Sequence, residues 1–161
     1  MDNPQSKSLY ELGWLVGMIE GEGWMILAKQ LLPSKNYRYV PVIGMNSTSK
    51  ILADEMARIL KSMDVGVWIG KRNSTNPKWA DQYMLNVRGF KRCKKLLDII
   101  NKYLLHKKEQ GKLILDYIEY RSQFNNQKSC GQIEEEYKLR LQKLNQKGKR
   151  FNDYTPSAKK Q

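Results

Sequence analysis

The nine residues Leu15-Val16-Gly17-Met18-Ile19-Glu20-Gly21-Glu22-Gly23 carry a helical apolar pattern with two features that an ordinary amphipathic helix lacks. Leu12, Leu15, Val16 and Ile19 recur at helical spacing and mark a core face. Ser8 and Glu11 read as a capping box, which predicts a helix from about Leu9 to Glu20 ended by Gly21 and Gly23. The first odd feature is Gly13 and Gly17, four apart on one face. Each costs about 1 kcal/mol relative to Ala in a helix interior, so the pair makes sense where another backbone comes close. A second copy of the helix across a two-fold axis is the simplest such partner. The second is Glu20 and Glu22 at the C-terminal end, where the helix dipole disfavours carboxylates. They read either as solvated turn residues or as a cation site. In a basic chain the natural ion for the latter is Mg²⁺, which takes carboxylate, carbonyl and phosphate oxygens.

Outward from this helix, residues 24–32 and 37–46 read as a hairpin about the turn Pro33-Ser34-Lys35-Asn36. Pro41 suggests an edge or a bulge. Ser47 to Ser49 can cap a helix at about 50–62, with Leu52, Met56, Ile59, Leu60 and Met63 as its stripe. Residues 65–72 and 82–88 then form a second hairpin around a polar loop that contains Pro77. A helix at about 90–104 turns Leu96, Leu97, Ile100 and Leu104 inward. Another at about 109–124 does so with Leu113, Ile114, Tyr117 and Ile118. Ile133, Tyr137, Leu141 and Leu144 mark a last helix before a basic tail from Lys147. The order αββαββα, with further C-terminal helices, predicts an α+β fold with a four-stranded antiparallel sheet. Residues 1–161 are expected to form a single domain, with a core over about 8–124 and the last helix and basic tail over 131–161.

The chain of 161 residues carries 29 Lys and Arg against 16 Asp and Glu, a formal net charge of +13. That balance favours a polyanion as partner, most simply nucleic acid. No helix joins a basic face to a Trp/Phe/Leu face as membrane-surface anchors do, and no apolar run approaches a membrane span. The N-terminus lacks the pattern of a signal peptide, so an intracellular site is expected. Cys93 and Cys130 are two cysteines only and are expected as free thiols, and His106 is the sole histidine. Multi-histidine and four-thiolate metal sites are thereby excluded. The charge is uneven. Residues 1–23 hold Lys7 against four acids, whereas residues 138–161 hold eight basic residues against Asp153. An acidic start in so basic a chain requires a reason.

Residues 15–23, LVGMIEGEG, resemble the LAGLIDADG motif of homing endonucleases. Leu15, Gly17, Ile19 and Gly23 match by identity, and Glu20 and Glu22 replace the motif's two acids conservatively. The αββαββα order is also that family's layout, and the resemblance covers roughly residues 8–124. The single-motif, homodimeric branch is the nearest likeness. The resemblance implies a sequence-specific, intron-encoded endonuclease that hydrolyses both strands of DNA with a staggered cut. Its partners would be a second copy of the chain and a long pseudo-palindromic duplex, with no membrane and no small-molecule substrate. Its cofactor would be Mg²⁺ or another divalent cation such as Mn²⁺. Glu22 would hold the metal, assisted by the Gly21 carbonyl, and Glu20 would be more structural. Lys107, with Lys108 as the alternative, matches the basic residue that reaches the active site. Asn46 or Thr48 would position water. The dimer contact would use Leu12, Gly13, Val16, Gly17 and Glu20. The competing readings on the same fold are an intron RNA maturase and a cleavage-inactive DNA-binding regulator.

The strands carry long polar side chains, and such groups read base edges in the major groove. Together with the resemblance, they make Lys29, Gln30, Arg38, Lys71, Arg72, Asn73, Gln82 and Arg88 the expected sheet contacts to DNA. Ser34, Lys35, Lys78 and Trp79, at loop tips, are expected against phosphates. Trp14, Trp24 and Trp68 are expected in the core or at an interface rather than as base-stacking platforms.

Overall fold

Gly23 is where the first helix becomes the first strand, and the geometry of that joint sets the rest of the sheet. In the computed structural model, which describes residues 4–75, 78, 80–125 and 128–146, helix α1 (Pro4–Glu22) runs into strand β1 (Gly23–Leu31) with no loop between them. A Cβ on Gly23 would stand 2.5 Å from the Ile19 carbonyl oxygen. Only a residue without a side chain permits so tight a turn. The chain continues through β2 (Tyr37–Ser47), α2 (Lys50–Ser62), β3 (Trp68–Arg72), β4 (Gln82–Arg88) and α3 (Phe90–Ile100). A 3₁₀ turn (Asn101–Tyr103), α4 (Lys108–Ser122) and α5 (Gln132–Gln146) follow.

The αββαββα order and the four-stranded antiparallel sheet agree with the sequence reading. Strand order is β1-β2-β4-β3, so the two hairpins meet through β2 and β4 in the middle. Pro41 lies on a central strand rather than at an edge or bulge. Its carbonyl accepts from the Gly89 N–H at 3.0 Å, just past the Val42–Arg88 pair that ends the β2–β4 ladder. The N–H that proline lacks would face that same side, where no ladder partner remains. Gly89 makes the turn into α3 with φ of 105°, a conformation side chains resist.

The first helix departs from expectation at both ends. It begins at Pro4 and continues through Gly21 and Glu22. Proline is well suited to a first helical position, so Ser8 falls inside the helix and the capping box does not form. Glu11 instead meets the Arg58 guanidinium on α2 at 2.6 Å. Leu15 and Ile19 are fully buried, while Leu12 and Val16 pack at the edge of the core. On α2, Ser49 is the N-cap, and Ala53 and Ala57 replace Leu52 and Met63 in the buried stripe. The expected helix to residue 104 ends at Ile100, although Leu104 is still buried.

Helix α5 packs on α4 and crosses β1 and β2 on the helix-bearing face. Asn145 donates to the Met25 carbonyl at 2.9 Å, and the Tyr37 and Tyr39 hydroxyls donate to Glu135 at 2.6 and 3.0 Å. Its start is held by a buried charge cluster and not by Ile133, which is exposed. Glu134, fully buried, takes Arg121 at 3.0 Å and Lys128 at 3.1 Å, and it accepts the Gly131 N–H at 3.0 Å. Burial pushes the Glu134 carboxyl up, but these hydrogen bonds outweigh it and hold it below the usual carboxylate range. Its stabilisation is therefore present above that range and lost as pH falls through the lowered value. Glu134→Gln leaves Arg121 buried without a counter-charge. It should cost about 3–5 kcal/mol in urea unfolding at neutral pH. Unchanged stability would mean that α5 is held by its apolar contacts alone.

Candidate active site and nucleic-acid interface

The C-terminal end of α1 collects the groups of interest. The Glu20 carboxylate accepts three successive backbone N–H groups, from Leu105, His106 and Lys107, at 3.0, 3.0 and 3.1 Å. Lys107 then returns its ammonium to the Glu20 backbone carbonyl. A cation at a helix C-terminus suits the negative end of the dipole. Burial pushes the Glu20 carboxyl up, while the three N–H groups and the Lys107 charge pull it down further, so it lies below its ordinary value. Glu20 is thus engaged within its own chain. Of the two lysines, Lys107 is the one whose side chain reaches this helix end. Lys108 is exposed at the start of α4, and His106 is an exposed loop residue.

Glu22 is different. It is exposed, and none of the described residues forms a hydrogen bond or ion pair with its carboxylate. Gly21, beside it, is exposed too. Asn46 lies one residue beyond the Gly23–Met45 pair, hence next to the α1–β1 joint, and Thr48 follows it; both are exposed. Glu22, Gly21, Asn46 and Lys107 therefore sit at one end of the sheet. Along α1, a Cβ added to Gly13, Gly17 or Gly21 would meet nothing within 4 Å. Leu9 and Tyr10 on the same helix are also exposed. The glycine stripe is three residues long rather than two, and it faces open space.

The register divides the sheet by parity. Met25, Leu27, Ile43, Met45, Leu85 and Val87 belong to the core on the helix-bearing face. Even-numbered strand residues occupy the other face, which carries none of the described helices. Gln30, Arg38, Arg72, Gln82 and Arg88 are on that open face, as a nucleic-acid contact requires. Lys29 and Lys71 are not. Lys29 caps the Tyr37 ring at 3.8 Å, and Lys71 pairs with Asp81 at 2.8 Å. Asp81 also accepts the Ser74 N–H, so Lys71 braces the β3–β4 loop. The expectation that these two lysines join the open face is corrected by the register. Asn73, Lys35 and Lys78 are exposed in the loops, Lys35 with a φ of 63° at the hairpin tip. Trp79 and the tail from Lys147 lie outside the described residues.

The open face also holds residues that the sequence reading placed elsewhere. Trp24 and Trp68 are neither core nor helix interface. A Cβ on Gly44 would stand 2.2 Å from the Trp24 ring, and one on Gly70 2.0 Å from the Trp68 ring. Both indoles therefore lie flat on this face. Trp14 alone meets the expectation, packing against the core. Cys93 and Cys130 are free thiols. Burial pushes Cys93 up to about 12, which makes it an inert core residue.

The chain shares its fold with solved LAGLIDADG homing endonucleases, I-SmaMI and I-LtrWI among them. The homing endonuclease I-CvuI, crystallised with the I-CreI target and magnesium and with the DNA not cleaved, superposes with a TM-score of 0.59 at 17% identity. The match covers 86% of this chain and 97% of that one. The archaeal intron-encoded endonuclease I-Vdi141I, complexed with DNA, gives 0.57 at 17% identity, over 94% and 89% of the two chains. I-TnaI gives 0.56 at 16%, over 84% and 86%. No protein-family model and no curated protein sequence matches the chain. Among the described residues, no helix is long and apolar enough to cross a membrane.

Glu20→Gln tests the joint at the end of α1. At pH 7 it should lower stability by about 1–2 kcal/mol, the range for hydrogen bonds to a partly exposed charged group. A depressed carboxyl stabilises above its unfolded value of 4.5 and loses that contribution as pH falls. The gap between variant and parent should thus close as pH falls below 4.5 and through the lowered value. Amide exchange at residues 105–107 should quicken in the variant; unaltered exchange there would show that Glu20 does not hold the loop.

Proposed function

We propose that this chain is a homodimeric, divalent-metal-dependent DNA endonuclease that cuts both strands of a long pseudo-palindromic site with a stagger. The observation that carries this reading is Glu22: an exposed carboxylate without a partner among the described residues, in a basic protein, at the end of a helix whose glycine face is open. The fold, shared with endonucleases crystallised on DNA, and the net charge of +13 support it.

The residues at the site fit a hard divalent cation. Glu22 and the Gly21 carbonyl are oxygen donors at the negative end of the α1 dipole. Among the described residues, no cluster of three or more His, Cys, Asp or Glu stands ready for a metal within one chain. Glu22 from two copies would complete the ligand set if the glycine faces of two α1 helices pack at a two-fold axis. A divalent cation held by Glu22 and the Gly21 carbonyl would supply positive charge to the phosphate, to hydroxide and to the leaving oxyanion. Asn46 or Thr48 orients the attacking water by hydrogen bonding. Lys107, held on the Glu20 carbonyl, puts positive charge where the transition state gains negative charge. The substrate places the protein inside the cell or an organelle that holds DNA. The maturase and the inactive regulator leave the exposed Glu22 carboxylate without a role.

Two measurements test this reading. Glu22→Gln should keep the fold and DNA affinity and abolish cleavage, because a neutral amide holds a divalent cation poorly. Single-turnover cleavage over a metal titration reads this, and an unchanged rate removes Glu22 from the metal site. In the same assay Lys107→Met should slow cleavage by up to about 10²-fold without moving the metal midpoint, and Lys108→Met should have little effect. Equal small losses in both lysine variants would reduce the loop to a general attractor of DNA.

The dimer is tested separately. Gly17→Leu places a bulky side chain on the open stripe and should yield monomers by sedimentation, with the monomer still folded. A parent protein that sediments as a monomer both alone and with DNA would overturn the two-copy site.

A further inference from the structure

The open face of the sheet is polar at its margins and apolar in its floor. The row Trp24–Gly44–Asn86–Trp68 crosses all four strands in register. The next row on the face places Ile26 beside Val42 and Arg88. Ile26 and Trp68 are exposed, at 39% and 53%. Val42 is buried yet stands outside the core cluster, which places its burial on this second face. Gln30, Arg38, Arg72 and Gln82 lie towards the two ends of the strands. A purely polar reading of the face, expected from the long side chains in the sequence, does not describe its centre.

A duplex presents few apolar groups to such a floor. In the major groove the bases offer hydrogen-bond donors and acceptors everywhere except at one point, the C5-methyl of thymine. Over the β1 and β3 ends of these rows, where Trp24, Ile26 and Trp68 stand and Asn86 and Arg88 do not, guanine or cytosine edges would be desolvated without a partner. The tryptophans are shaped for the same purpose. Gly44 and Gly70 let both indoles lie down, so they form a level surface instead of standing up into the groove. An upright indole would suit an unstacked base of a single strand.

We infer that the floor formed by Trp24, Ile26 and Trp68, underlain by the buried Val42, recognises thymine methyl groups in the major groove of a target rich in A·T pairs over that floor. The arginines around it hold the phosphates and flanking base edges. This inference rests on the reading of the sheet as a duplex-DNA interface and names the chemistry it selects.

The test begins with duplexes recovered by the protein from a randomised DNA library. The recovered sites should be rich in thymine at the positions over the floor. They are resynthesised with deoxyuridine in place of thymidine, which removes only the methyl. Each methyl lost should weaken binding about fourfold, from the transfer free energy of one buried methylene. Two or three such positions would give about 15- to 60-fold if they act independently. The same exchange in flanking sequence should change nothing. Ile26→Ser and Trp68→Ser should erase the thymine–uracil difference while the salt dependence of binding, set by phosphate contacts, stays the same. Should a variant fold poorly, the uracil comparison with the parent protein still decides. Equal affinity for thymine and uracil duplexes overturns the inference and leaves the duplex reading intact. Equal or tighter binding of RNA of the same sequence also overturns it, because uracil carries no methyl. Recovery of no duplex at all overturns the duplex reading and this inference with it.

Discussion

One carboxylate holds the site together. Glu20 gathers the N–H groups of three consecutive residues, 105–107, onto the end of α1. Three N–H groups in succession on one carboxylate fix the path of the backbone as well as its position. The same contact brings the Lys107 ammonium to the Glu20 carbonyl, one peptide away from Gly21 and two residues from Glu22. The segment after the third helix is thereby bound to the first, across about 85 residues of chain. Without that tie, Lys107 would be one more loop lysine on a basic surface. Gly23 supplies the complementary constraint on the strand side, because its close turn against Ile19 puts Asn46 beside the helix end.

The second organising constraint is strand parity. Once Met25 and Leu27 enter the core, every even residue of β1 must face away from the helices. Pairing transmits that choice to β2, then to β4 and β3. Gln30, Arg38, Arg72, Gln82 and Arg88 follow, and so do Trp24, Ile26 and Trp68. Lys29 and Lys71 fall on the other side for the same reason, despite being basic residues within the same strands. Composition alone does not separate the two sets; register does.

Much of the fold was legible because its signals are local. β4 begins and ends where its alternation does, and α2 follows from Ser49 and its apolar stripe. The motif was legible because two acids and spaced glycines at one helix end conflict with ordinary helix preferences. The misreadings came from interactions between distant residues. Ser8 looks like a cap, but Pro4 opens the helix earlier, and Glu11 pairs with Arg58, 47 positions away. Pro41 looks like an edge residue, but β4 ends just where its missing donor would face. Trp24 and Trp68 look like core or interface residues, and only pairing shows that each lies over a glycine on the open face. The alternation of Met25 and Leu27 with Ile26 was the available signal for that face.

Of the four acids at the start of this basic chain, Asp2 lies outside the described residues and the other three have distinct surroundings. Glu11 is drawn to Arg58 at 2.6 Å and joins α1 to α2. Glu20 is drawn to backbone N–H groups and joins α1 to the loop before α4. Each lies where a specific positive partner compensates it, so neither needs a ligand from outside. Glu22 has no such account. It sits at the helix end least hospitable to a carboxylate, with exposed glycines before it and a lysine held nearby. Lys107 does not relieve it, because the ammonium is placed on the Glu20 carbonyl. Among the described residues no basic side chain pairs with it, although the chain carries a net charge of +13. The neighbouring lysine is fixed on the Glu20 carbonyl, which leaves the Glu22 carboxylate open to solvent.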